Sequence, residues 1–140
     1  MTVQRICPQD ALELMDEGWA YLDVRTPAEF DAGHPKGAYN IPWKIAGPQG
    51  MEPNPRFVEV VDRTFGKDGK IIVGCERGGR SRAAAEALLA AGFSHVVDQL
   101  AGFGGATDSF GRTVEPGWRD AGLPVTTEAL PGRSWADLAG

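Results

Sequence analysis

The chain has 140 residues, 42% of them apolar and 24% charged, the composition of one globular domain with a proper core and not of a disordered or fibrous chain. Its net charge of −5 argues against nucleic acid or an anionic membrane surface as a partner. No apolar run approaches transmembrane length and no N-terminal stretch has a signal peptide's pattern, so the expectation is a cytoplasmic protein.

In chain order, Pro8 to Gly18 predicts a short helix, with Pro at its first position, acids in the first turn and a terminal Gly. Ala20 to Val24 predicts a buried strand. Thr26-Pro27 predicts the cap of a second small helix that ends near Gly33. Ala38 to Ile41 predicts another strand. Asn54-Pro55 opens a third helix, in which Phe57, Val58, Val61 and Phe65 recur at helical spacing before Gly66. Ile71 to Gly74 predicts the central strand. Ser81 is expected to cap a helix running to Ala91, and His95 to Asp98 forms the next strand. Strands alternating with helices predict an α/β fold with a mostly parallel sheet covered on both faces.

The segment Gly74-Cys75-Glu76-Arg77-Gly78-Gly79-Arg80-Ser81-Arg82 joins the central strand to the next helix. A loop at a strand's C-terminal end and a helix's N-terminus presents unpaired N–H groups, an arrangement suited to anions. Gly78 and Gly79 are both expected to take positive φ, letting successive N–H groups converge. A thiol in that cationic cradle is expected to be a reactive thiolate, where an apolar setting would leave it inert. Arg77, Arg80 and Arg82 form a cationic island in an acidic chain, better matched to a small anion than to a polyanion. Arg77 is expected to be exposed and to meet the incoming anion. Arg80 either points at that anion or braces the loop against an acid such as Glu76. Cys7, ahead of Pro8, has no activating neighbours and reads as structural or incidental; a disulfide with Cys75 is not expected. His34 and His95 lack metal-ligand spacing, so no metal site is expected.

These residues resemble the active-site loop of the rhodanese family of sulfurtransferases, whose single-domain pattern runs C-x-x-G-x-R-S into a helix. Cys75, Gly78, Arg80 and Ser81 match it. Tyr21 to Phe30 is similar to the family's LDVR-x-x-x-E-F segment. Gly33-His34 and Gly37 to Pro42 follow as its GH and GAxNIP do, and Trp118 to Val125 is similar to its closing W-x-x-x-G-x-P-V. The matches span roughly residues 5 to 125, so a single domain is expected over 1–126, with 127–140 a tail outside the pattern. Pro35-Lys36 departs from the usual Ile-Pro and is expected to form a surface turn. Phe103 to Gly117 is longer than the link many relatives carry.

The resemblance implies a rhodanese-like sheet of about five strands flanked by helices, and sulfur transfer without a cofactor. Cys75 would attack the outer sulfur of a small anionic donor such as thiosulfate, and a thiol, cyanide or a protein cysteine would take the sulfur from its persulfide. Glu76, Arg77, Gly78, Gly79, Arg80 and Ser81 would form the substrate-binding loop. A phosphatase or arsenate reductase of the related fold is the alternative, but four residues separate Cys75 from Arg80, where the phosphate-hydrolysing relatives carry one more and so a wider cradle. A non-catalytic module, or a persulfide carrier for one partner protein, is the remaining reading; such modules often lack the cysteine. Asp23 and Arg25 are expected to be structural, bonding loops or pairing with Glu29. His34 is assigned to a turn, and Trp43, Trp118 and Trp135 to packing.

Overall fold

Alternation along the short apolar strands decides how the chain layers. In Ile71-Ile72-Val73, successive side chains leave the backbone in opposite directions, and each finds a separate core. Ile71 and Val73 join Leu22, Val24, Phe57, Val61, Ala85 and Leu88 on one face. Ile72 joins Tyr21, Ile6, Ala11, Phe30, Val97 and Trp118 on the other. The computed structural model describes residues 2–140. In order it forms β1 (Gln4–Ile6), α1 (Pro8–Asp16), β2 (Ala20–Asp23), α2 (Pro27–Ala32), β3 (His34–Pro35) and β4 (Tyr39–Asn40). A hairpin of β5 (Lys44–Gly47) and β6 (Gly50–Pro53) follows, then α3 (Phe57–Phe65), β7 (Lys70–Gly74), α4 (Gly79–Ala90) and β8 (His95–Gln99). A second hairpin of β9 (Ala106–Thr107) and β10 (Thr113–Glu115) precedes β11 (Val125–Thr126) and α5 (Trp135–Ala139).

The central sheet has five strands in the order β1-β8-β7-β2-β4, all parallel. Helices α3 and α4 cover one face, and α1 and α2 the other. The α/β sheet with helices on both faces is therefore the architecture the sequence predicts. Ligands of open parallel sheets generally bind beyond the strands' carboxyl ends, and Cys75 directly follows the carboxyl end of the central strand β7.

Three local expectations are corrected. Helix α4 begins at Gly79, not after a Ser81 cap: Gly78 occupies the N-cap at φ +95°, and Ser81 sits inside the first turn with its hydroxyl donating back to the Gly78 carbonyl (3.3 Å). Gly79 does not have a positive φ; it is simply the first helical residue. The surface turn expected at Pro35-Lys36 starts one residue later: Pro35 is buried and pairs in β3 with Val125 of β11, while exposed Lys36 and half-buried Gly37 make the turn, closed by the Ala38 amide donating to the Pro35 carbonyl (3.0 Å). His34 lies in the same strand, buried and stacked on Phe30 at 3.6 Å, with Nδ1 2.7 Å from the Phe30 carbonyl. Those contacts satisfy it as a core histidine.

Residues 127–140 lie against the domain. Trp135 and Leu138 pack on the core beside α3, the Arg133 carbonyl accepts from the Asn40 amide (2.8 Å), and Arg133 Nη1 donates to the Gly37 carbonyl (2.8 Å). No helix among the described residues is long and apolar enough to cross a membrane.

Candidate active site

Cys75 is buried and sits where β7 ends and the chain turns toward α4. The turn is tight because Gly78 takes a left-handed conformation, reached by glycine without the Cβ penalty. A Cβ there would lie 2.3 Å from the Leu100 carbonyl oxygen. With that geometry the Gly78 N–H points at Cys75 Sγ (3.0 Å), and Sγ lies 3.4 Å from Ser81 Oγ. Gly79 differs: a Cβ would meet nothing within 4 Å, so no close approach demands glycine there.

From behind, residues 99–104 hold the loop. The Phe103 amide donates to the Cys75 carbonyl (2.7 Å) and the Gly104 amide to the Glu76 carbonyl (2.9 Å). Gln99 Oε1 accepts from the Ala101 and Gly102 amides (2.8 and 2.9 Å), which shapes this second turn. The stretch that looks like an insertion thus starts with backbone bonded to the cysteine loop. Its remainder forms the β9–β10 hairpin, tied on by Arg77 Nη1 donating to the Gly105 carbonyl (3.4 Å).

Three cations near the cysteine have different tasks. Buried Arg25 donates to Asp23 Oδ2 (2.7 Å), to the Gly33 carbonyl (2.7 Å) and to Glu76 Oε1 (3.1 Å). Burial alone would lower its pKa, but the hydrogen bonds and charge of Asp23, joined by Glu76, raise it above the ordinary arginine value. Arg80 forms a two-pronged pair with Glu29, Nη1 to Oε1 at 2.8 Å and Nη2 to Oε2 at 3.0 Å. The same carboxylate closes a capping box with Thr26 at the start of α2. The hydrogen bond from Arg80 holds the Glu29 carboxyl down at about 2. The expected partners are therefore exchanged: Glu29 takes Arg80, and Arg25 takes Asp23 and Glu76. The reason is reach across the fold, since α2 lies beside the start of α4 while Arg25 is sunk beneath Glu76. Arg77 is exposed, and no carboxylate among the described residues pairs with it.

Cys75, Glu76, Arg77, Gly79 and Arg80 line a cavity of about 340 Å³ open to solvent. Glu76 is shared with an adjoining hollow of about 190 Å³, which Arg25, Glu29, Phe103 and Arg119 also line. The predicted loop residues are thus brought together, with Gly78 and Ser81 beneath them. His34 and Cys7 are not among the lining residues. Both cysteines are free. Sequence reasoning missed Arg5 and Asp98, which reach the loop from underneath: Arg5 Nη2 donates to the Gly78 carbonyl (3.0 Å) and its Nε to Asp98 (2.7 Å). The available signal was faint: one charge in each of two short strands, QRI and HVVDQ.

The rhodanese-like domain family matches residues 8–105. Thiosulfate sulfurtransferase 16, chloroplastic, of Arabidopsis thaliana is 50% identical over 93 residues, covering 66% of this chain and 78% of its own. Thiosulfate sulfurtransferase GlpE of Haemophilus influenzae (strain PittEE) is 31% identical over 127 residues, covering 91% of this chain and 98% of its own. Among solved structures, Rv0390 from M. tuberculosis superposes with a TM-score of 0.73 at 28% identity, covering 91% of this chain and all of that one. The chain spans about half the length, 51%, of two further curated relatives that it matches. With that match across most of its length and a parallel sheet that ends in the cysteine loop, the chain belongs to the rhodanese-like domain family.

Proposed function

We propose that the protein is a sulfurtransferase that carries sulfane sulfur on Cys75. The Cys75 thiolate attacks the outer sulfur of thiosulfate or a similar anionic donor. An S–S bond forms, the sulfur–sulfonate bond breaks, and its electron pair leaves with sulfite. An acceptor nucleophile (cyanide, a small thiol or a protein cysteine) then attacks the outer persulfide sulfur and returns the electron pair to Cys75. This is covalent catalysis in two steps. The observation that carries the reading is the Gly78 N–H directed at Cys75 Sγ (3.0 Å) under a cavity rimmed by Arg77. A fixed dipole there stabilises negative charge on sulfur before and after the transfer, and Arg77, with no carboxylate on it, attracts the donor. Arg80 serves as a brace, because both its terminal nitrogens are occupied by Glu29. Glu76, Gly79 and Ser81 shape the loop.

The test is mass spectrometry of the protein after thiosulfate, which should add the mass of one sulfur atom to the Cys75 peptide and to no other. In steady-state assay Cys75→Ser should lose at least about 10³-fold in activity, because the alcohol is neither ionised nor thiophilic, while Cys7→Ser should stay near wild type. An unmodified Cys75 peptide, or faster turnover of an aryl phosphate than of thiosulfate, would reject the reading.

A further inference from the structure

Arg5 and Asp98 lie outside every motif of the cysteine loop, yet they connect to it from a fully buried carboxylate through a side chain that is one-third exposed. They are direct neighbours across the parallel pair β1–β8. Asp98 is fully buried; its Oδ2 accepts from Arg5 Nε (2.7 Å), and its Oδ1 has no hydrogen-bond partner among the described residues. Arg5 Nη2 donates to the Gly78 carbonyl (3.0 Å). That carbonyl also accepts from Ser81 Oγ (3.3 Å) and the Arg82 amide (3.3 Å). The guanidinium lies close beneath the glycine: a Cβ on Gly78 would come within 2.9 Å of Nη2.

Glycine is the least conformationally restrained residue, and the N–H aimed at Cys75 Sγ and the carbonyl held by Arg5 belong to the peptides on either side of the Gly78 Cα, so contacts that hold the carbonyl limit the rotations that aim the N–H. A guanidinium is a rigid planar fork. With one nitrogen on a buried carboxylate and another on the Gly78 carbonyl, it ties the loop to the central sheet. Stability is a weak reason to keep such a pair, since solvent screens the one-third exposed Arg5 and burying the Asp98 charge costs desolvation. Burial here raises the Asp98 carboxyl above its ordinary value despite Ser81 and Arg5 beside it. We propose that Arg5, anchored by Asp98, is a positioning residue for sulfur transfer: it pins the Gly78–Gly79 peptide by its carbonyl and so holds the backbone rotation at Gly78 that turns the N–H of the preceding peptide onto Cys75 Sγ. The proposal rests on the sulfurtransferase reading for its kinetic consequence, but not for its geometric one.

Arg5→Met alone strands the Asp98 charge and risks unfolding, so the decisive variant is Arg5→Met/Asp98→Leu, which removes both charges and keeps apolar bulk. It should melt within a few degrees of wild type. Its kcat for thiosulfate should fall about tenfold or more with KM changed less than about twofold, the pattern of a misaimed group and not of lost donor binding. Alkylation of Cys75 by iodoacetamide should slow by a similar factor. Because alkylation needs no sulfur donor, it reads the positioning even in a chain that transfers no sulfur; absence of a persulfide in the wild type would defeat the proposed function alone. A folded double variant with wild-type kcat and alkylation, or one that changes only KM, would overturn the role assigned to Arg5.

Discussion

Gly78 and Gly79 are adjacent and identical, yet the fold uses them for opposite purposes. Gly78 holds φ at +95° with the Leu100 carbonyl and the Arg5 guanidinium against its Cα. Gly79 has ordinary helical neighbours and open space. Alanine at 78 should therefore cost about 1–3 kcal/mol from backbone strain alone, with further loss from the contact to Leu100, and should lower sulfur transfer. Alanine at 79 should be neutral or stabilise by about 0.4–1 kcal/mol, because it restricts the unfolded chain at a conformation that alanine accepts. Urea melts of the two variants check this; equal destabilisation would mean the loop rearranges. The local signal, two glycines in a row, was readable in advance. Which of them carries the turn was not, because that depends on the backbone of residue 100, some twenty positions away.

At the scale of elements, Glu29 couples the start of α2 to the start of α4. It caps α2 through Thr26 and grips Arg80 at the end of the cysteine loop. Its carboxyl is depressed to about 2, so it binds its proton less readily in the folded than in the unfolded state, where the ordinary value is 4.5. Its stabilisation is therefore fully present above that ordinary value and is lost as pH falls toward about 2. The pair is one-third exposed, and solvent screening limits it to about 1 kcal/mol. Glu29→Gln should accordingly lower stability by up to that amount near neutral pH, and the difference from wild type should vanish in acid. Denaturant melts of both proteins across that range read it directly; a gap that persists at the acid end would mean packing and not charge. The sequence left Arg80 open between a ligand for the anion and a brace for the loop. Its partner was not readable, since Glu76 is adjacent in sequence while Glu29 is adjacent only in space.

For the whole molecule, the segment after β11 is the portion with least warning in the sequence. It closes over β4 and α3 through Trp135, Leu138 and the hydrogen bonds of Arg133. Arg133 also lies over the Tyr39 ring at 4.5 Å, and Arg56 Nη1 reaches the Ala139 carbonyl (2.8 Å). Removing residues 127–140 should expose partly buried apolar surface on α3 and cost about 2 kcal/mol or more. For a domain of this size that is a fall in Tm of roughly 5–10 °C. Calorimetry of the truncated chain would test it, and an unchanged Tm would show that the segment adds nothing to the fold. Because Cys75 lies across the sheet's carboxyl end and not against this segment, thiosulfate turnover per folded molecule should be retained.

The order of strands and helices, the parallel sheet and the place of Cys75 after its central strand followed from the sequence alone, because hydrophobic period, glycine stops and proline starts are local signals of long elements. The cysteine loop was legible for the same reason: its residues are contiguous. The short pieces were not. β1, β3 and β11 are two or three residues long, too short to show a period, and exist because a neighbour supplies their hydrogen bonds. The exchange of partners among Arg25, Glu29, Glu76 and Arg80, and the hold of Arg5 and Asp98 on Gly78, were decided only in three dimensions. A charged side chain pairs with whichever opposite charge the packed layers bring within reach, and that choice is made after the sheet has formed.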